Sequence, residues 1–166
     1  MKFPQRKGNS KEVVLVLDNI RSRFNVGSIF RTADGAGVSK IYLCGITPVP
    51  PHPKISKVAL GAENYLCWEK RAFTWRLLEE LKKNNYYLIA LEQGAGAKNI
   101  FSFQPPSPVS KVALVVGSET RGLSEAILKR TDIQLEIPMR GRKKSLNVAV
   151  ALGIAVYYLT FAVFGV

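Results

Sequence analysis

The chain has a single histidine, His52, and only two cysteines, Cys44 and Cys67, among its 166 residues, with no C-x-x-C pair. A Cys/His zinc centre and a Cys–His nucleophile system therefore lack their parts, and no metal is expected. There is no disulfide-dense pattern and no secretory signal, so both cysteines are expected to be reduced thiols. The segment through Lys11 is polar and basic, without the apolar stretch that a signal peptide needs. No G-x-G-x-x-G follows the first strand and no G-x-x-x-x-G-K-[ST] loop occurs, which withdraws support from nicotinamide and NTP-hydrolysing readings. Gly94-Ala-Gly96 is too short to identify a ligand, and no internal repeat is evident.

Acidic residues are also scarce: 12 Asp and Glu stand against 24 Lys and Arg, a formal charge of +12. Polyanions are the natural partners, although a solvated surface or an acidic membrane would use the same charges. The basic residues gather at Lys2, Arg6, Lys7 and Lys11, at Arg21, Arg23 and Arg31, and at Arg140, Arg142, Lys143 and Lys144. The hydrophobic share of 47% is that of a folded globule, and the length suits one domain.

Apolar β-branched runs at Val13 to Leu17 and Val112 to Val116 read as strands buried on both faces, with further strands at Lys40 to Cys44, Tyr86 to Leu91 and Ile133 to Ile137. Between them, Val26, Ile29, Phe30 and Ala33 recur at helical spacing with Asn25 as a candidate N-cap. Phe73 to Asn84 carries Leu77, Leu78 and Leu81 on one face. Lys57 to Glu63 reads as a short helix, and Ser124 as the cap of another. Thr47 to Lys54 holds four prolines and is expected as a stiff loop. Glu92 to Pro108 is expected to be mostly loop, with a short strand near Ile100. The final uncharged stretch, Leu146 to Val166, has the length and apolarity of a membrane span. The complete α/β pattern before it favours a helix buried in the core or in a subunit interface.

Strands alternating with helices predict an α/β fold, a mostly parallel sheet with helices on both faces. Ligands in such sheets gather beyond the carboxyl ends of the strands. Three loops fall there: Asn25-Val-Gly27-Ser28-Ile-Phe-Arg31-Thr32-Ala33, Gly117-x-Glu119-x-x-Gly122-Leu123, and Ile137-Pro138-Met139 leading to Ser145-Leu146-Asn147-Val148. Each taken alone fits a helix cap or a strand-turn-helix connection, with Ser145 as a plain N-cap in the third.

Together and in this order they resemble the TrmH (SpoU) branch of the SPOUT methyltransferases, whose patterns are N-x-G-x-x-x-R-T-A, G-x-E-x-x-G-L, and I-P-M followed by S-L-N-V. Lys54-Ile-Ser-Lys57 and Gly61-Ala62-Glu63 also look like the family, so the resemblance spans about Val13 through Tyr157. It implies a C-terminal deep trefoil knot, a homodimer, and an S-adenosylmethionine-dependent enzyme that methylates a ribose 2′-hydroxyl in transfer or ribosomal RNA, in the cytoplasm and without a membrane.

Carried onto this chain, the resemblance implies Asn25, Arg31, Glu119, Ser145 and Asn147 on the catalytic face. The cofactor would lie against Leu91 or its neighbours, Gly117, Ile137, Met139 and Leu146, and the RNA against Arg21, Arg23, Arg142, Lys143 and Lys144. Asn25 and Asn147 are expected to position the ribose, Ser145 to hydrogen-bond nearby, and Glu119 to orient Arg31 or cap the pocket. A guanidinium accepts no hydrogen bond, so Arg31 suits a phosphate and a developing alkoxide better than the role of base. A basic segment is expected over residues 1–12 and the catalytic domain over 13–166, with substrate grip coming from that domain itself. The alternative is a non-catalytic RNA-binding or assembly protein that retains the fold.

Overall fold

The computed structural model describes residues 11–163. Lys2, Arg6 and Lys7 of the expected basic segment lie outside the described residues. In chain order the elements are β1 (Glu12–Asp18), α1 (Arg23–Gly35), β2 (Lys40–Cys44), α2 (Pro53–Ala59), α3 (Ala62–Tyr65), β3 (Trp68–Arg71), α4 (Thr74–Lys83), β4 (Tyr87–Leu91), β5 (Lys98–Asn99), β6 (Lys111–Val116), α5 (Glu125–Leu128), β7 (Ile133–Glu136) and α6 (Val148–Tyr157). A 3₁₀ turn (Ile100–Ser102) follows β5, and a π-helical turn (Tyr158–Val163) follows α6.

The strands form one seven-stranded sheet in the order β3-β2-β1-β6-β4-β7-β5, and all neighbouring pairs run parallel. Side chains alternate across a strand, so β1 feeds two cores. Val13, Leu15 and Leu17 pack with the buried faces of α1, α2, α3 and α6. Val14 and Val16 pack with Leu77, Leu78 and Leu81 of α4 and Ile127 of α5. The sheet is thus covered on both faces, as the apolar runs predict.

Several local expectations are corrected. Helix α1 starts earlier than Asn25: Ser22 is its N-cap, its Oγ accepting from Asn25 N at 3.2 Å. A hydroxyl with extended backbone satisfies the first-turn amide, which leaves the Asn25 side chain for other contacts. The last helix is capped by Asn147, whose Oδ1 accepts from Ala149 N at 2.9 Å, so Ser145 is not the cap. Lys57 to Glu63 is split between α2 and α3 by left-handed backbone at Leu60 and Gly61. The proline loop ends at His52, which caps α2 through Nδ1 with Pro53 in the first helical position.

Strand β3 has no counterpart in the sequence reading. Its residues Trp-Glu-Lys-Arg carry no apolar alternation, because an edge strand needs to bury little. Glu69 instead accepts from Lys40 at 2.6 Å and from Arg71 at 2.9 Å. Cys44 and Cys67 are free thiols, and burial pushes the Cys44 thiol up to about 12, against a hydrogen bond with Thr74 that lowers it. Among the described residues no helix is long and apolar enough to cross a membrane.

Helices α1 and α2 meet at Gly27, where a Cβ would stand 2.6 Å from the Ile55 carbonyl oxygen and 3.0 Å from Val58 Cβ. Backbone cannot yield as a side chain does, so Gly27→Ala is expected to destabilise the fold by roughly 1–3 kcal/mol. Urea unfolding of the two proteins measures this; an unchanged midpoint would show that α2 is not held against α1.

Candidate active site

Beyond the carboxyl ends of β4, β6 and β7 lies a cavity of about 560 Å³, within the range of small-molecule sites. Leu91, Val116, Ile137, Leu146 and Val148 give it apolar wall. Glu92, Glu119, Glu136, Ser145 and Asn147 give it polar wall. All five expected cofactor positions, Leu91, Gly117, Ile137, Met139 and Leu146, line this one space.

The loop after β6 is shaped by two constraints. A Cβ at Gly117 would stand 2.4 Å from Gly122 C and 2.5 Å from Leu123 N, so only glycine lets the loop fold back on itself. Glu92, at the end of β4, accepts a hydrogen bond from Leu123 N at 2.8 Å and pins the loop over the sheet. By sequence alone Glu92 reads as loop; its one signal is a carboxylate directly after a wholly apolar strand. Ser118, Thr120 and Arg121 also line the cavity and were not singled out.

Three of the expected catalytic residues are joined directly. Glu119 Oε1 accepts from Asn25 Nδ2 at 3.0 Å and from Ser22 N at 3.2 Å, while Oε2 accepts from Arg21 N at 3.1 Å. Asn25 Oδ1 in turn accepts from Asn147 Nδ2 at 3.1 Å, and Asn147 Oδ1 caps α6. This ties the loops after β1, β6 and β7 together. Burial of Glu119 opposes its charge, but four hydrogen bonds outweigh it: those from its own backbone amide, Arg21 N, the Asn25 side chain and Ser22 N. The pKa is held below the ordinary carboxylate value.

Ser145 lines the cavity beside Asn147. Arg31 is elsewhere: it is exposed on α1 and makes no hydrogen bond or ion pair with another described residue, so Glu119 orients Asn25 rather than Arg31. Arg31 sits one helical turn from Ser28, and Ser28 and Thr32 line a second, shallower groove of about 400 Å³ with Val150, Gly153, Ile154 and Tyr157 of α6. Arg21, Arg23, Arg142, Lys143 and Lys144 are exposed around the cavity loops. Among the described residues no group of three or more His, Cys, Asp or Glu is placed to hold a metal ion.

The sequence profile of the SpoU rRNA Methylase family matches residues 12–157. The 23S rRNA (guanosine(2553)-2'-O)-methyltransferase RlmP of Bacillus subtilis is 34% identical over 159 residues, which is 95% of this chain and 61% of the relative. An AdoMet-bound rRNA methyltransferase from Sinorhizobium meliloti superposes with a TM-score of 0.83 at 28% identity, covering 97% of this chain and 58% of that one. A chain solved in work on the 2-OH methylation of C/U34 on tRNA matches with a TM-score of 0.78 at 25% identity, over 93% of this chain and 99% of the other. The chain spans about 60% of the length of the curated relatives it matches.

Glu119 stabilises the folded site fully above its ordinary pKa of about 4.3, and that contribution is lost as pH falls through the lowered folded value. Asn25→Asp sets a second carboxylate against Glu119 and removes the donor. Its cost, roughly 1 kcal/mol at this partly solvated position, is expected to be largest near pH 8 and to shrink toward pH 4 as the pair takes up a proton. Urea unfolding across that range measures it; a pH-independent difference would remove the carboxylate from the account.

Proposed function

We propose that this chain, which belongs to the SpoU rRNA Methylase family through residues 12–157, transfers a methyl group from S-adenosylmethionine to a ribose 2′-hydroxyl of transfer or ribosomal RNA. The observation that carries this reading is the joining of Glu119, Asn25 and Asn147 at the mouth of the cavity. The names of the relatives supply the chemistry: RlmP is a 2'-O-methyltransferase, and the S. meliloti neighbour is an AdoMet-bound rRNA methyltransferase.

The cavity fits the cofactor in its donor set. Apolar Leu91, Ile137 and Leu146 suit an adenine, the bare backbone at Gly117 admits close approach, and Met139 closes one side. Glu92, Glu119 and Glu136 suit a ligand that carries positive charge. When bound, S-adenosylmethionine supplies an electrophilic methyl on a sulfonium. The residues of the chain have to align the ribose oxygen with it and assist loss of one proton.

Asn25 and Asn147 position the ribose, since each has amide valence left at the rim, and Ser145 hydrogen-bonds beside them. Arg31 grips a phosphate and stabilises developing negative charge on the 2′-oxygen, with the proton passing to phosphate or solvent. Arg21, Arg23, Arg142, Lys143 and Lys144 hold the RNA backbone, which positions without reading sequence. Residues 13–166 form the catalytic domain, residues 1–12 are a basic segment, and the protein works in the cytoplasm.

We further propose that the segment after β7 threads the 92–110 connection as a trefoil knot. Support comes from Tyr158, whose hydroxyl donates to Phe101 O at 2.9 Å and whose ring meets Phe101 edge-on. A homodimer is proposed across α1 and α6. Val150 and Tyr157 of α6 and Phe161 of the turn after it are 51%, 44% and 48% exposed, an apolar stripe beside the groove lined by Ser28 and Thr32 of α1. Pairing there gives Arg31 a route to the cavity of the second copy, since it does not reach its own cluster.

Incubation with radiolabelled cofactor and separated RNA pools, followed by nucleoside mapping, is expected to yield a 2′-O-methylnucleoside; a base-methyl product or no label overturns the assignment. Asn147→Asp keeps the oxygen that caps α6 but not the amide that meets Asn25. It should lose about 100-fold or more in transfer with the unfolding midpoint nearly retained, whereas equal loss of fold would make Asn147 structural. Arg31→Ala co-expressed with Asn25→Ala should recover about a quarter of wild-type activity if each site draws on two copies. No recovery would place Arg31 within one chain.

A further inference from the structure

The start of α4 carries a surface that the proposed reaction does not use. Phe73 is 53% exposed and Trp75 37% exposed, with ring centroids 6.3 Å apart. The guanidinium of Arg76 lies over both, 5.1 Å from the Phe73 centroid and 5.0 Å from that of Trp75. A second guanidinium, Arg130, stands 5.6 Å from the Trp75 ring. Arg130 is fixed by the Ala126 carbonyl at 2.7 Å and by Glu79 at 3.2 Å. Scattered apolar residues on a surface need no explanation, but two adjacent exposed aromatics, tilted 41° to each other and flanked by two arginines, form a cationic π surface. The nearby carboxylates Glu79 and Glu80 are each engaged by an arginine, Arg130 and Arg71.

Its position is tied to the cavity. Thr74, between the two rings, is hydrogen-bonded through its hydroxyl to the buried carboxylate of Asp18 at the end of β1. Three residues further, Arg21 N donates to Glu119, and three residues span at most about 10 Å. Around that loop, Arg21, Arg23 and Arg121 are exposed, and their side chains make no hydrogen bond or ion pair among the described residues. Exposed arginines with no side-chain partner among the described residues therefore stand on the loops that join the Asp18 end of β1 to the mouth of the cavity.

We propose that Phe73, Trp75 and Arg76 are a stacking platform for an unpaired nucleobase of the RNA strand, a few nucleotides from the methylated ribose, with Arg21, Arg23 and Arg121 tracking the intervening phosphates. The occupant follows from complementarity: a single-stranded nucleic acid presents both an aromatic face and a negative backbone. Unpaired bases stack on aromatic rings and on guanidinium planes. The proposal rests on the reading of RNA as substrate and adds that the substrate is unpaired beside its target.

The test measures binding of a fluorescent, unstructured RNA of roughly twelve nucleotides and of an RNA duplex of the same length. Wild type is expected to prefer the single strand. Phe73→Ala with Trp75→Ala should weaken single-strand binding about tenfold or more, leave duplex and S-adenosylmethionine binding unchanged, and raise KM for RNA while kcat holds. Phe73→Tyr and Trp75→Phe keep the ring faces and should bind as wild type. If the double variant fails to fold, the single change Phe73→Ala at the more exposed ring carries the same expectation. Variants that bind the single strand as tightly as wild type would overturn the platform alone, and a wild type that binds no RNA would overturn the substrate reading with it.

Discussion

The candidate site depends on one hydrogen-bonded relay whose direction is fixed at both ends. Glu119 is a carboxylate and can only accept, so Asn25 presents its amide nitrogen to it. That leaves Asn25 an oxygen, which calls for the amide nitrogen of Asn147, and that in turn leaves the Asn147 oxygen for the first amides of α6. The backbone amides at the far end can only donate. No asparagine in the series can turn over without placing like against like, so three loops from distant parts of the chain share a single registry. Two helix starts, those of α1 and α6, are held by it, and the amides at the start of α1 favour the negative charge of Glu119 directly.

The relay is possible because the sheet brings its partners into range. Strands β1 and β6 are neighbours although their sequence positions are about a hundred residues apart. The loops that leave their carboxyl ends therefore meet without any long-range side-chain contact being required. Gly117 and Glu92 then press the β6 loop against the sheet, and the space left between that loop and the segment after β7 is the cavity. Backbone topology does the coarse placement, and a few polar contacts set the final ångström.

Much of this was legible in the chain itself. Strands β1, β4 and β6 are buried on both faces and announce themselves as unbroken apolar runs. The three motif loops pointed to the cavity because ligand sites in parallel sheets have a fixed side. What could not be read was which side chain served backbone and which served its neighbours. Asn25 and Ser22 are both good caps, and only the position of Glu119 shows that Ser22 caps while Asn25 bridges. Ser145 and Asn147 pose the same choice. Arg31 shares a motif with Asn25, yet it makes no hydrogen bond to Glu119 and stands exposed on α1 next to Thr32, which lines the groove shared with α6. Strand β3 was invisible because a charged edge carries no periodic signal.

The two ends of the sheet limit how this chain can associate with itself. At one end β3 presents Glu69, Lys70 and Arg71, with Lys70 committed to the carbonyls of Gly45 and Thr47. At the other end β5 is only two residues long. Neither border offers the flat, extended backbone that a second strand would need to add to it. Growth of the sheet from molecule to molecule, the usual route to fibrous assembly, is therefore closed at both margins. The pairing proposed across α1 and α6 would instead run through the helical layer and close on itself as a two-fold pair rather than extend as an open chain.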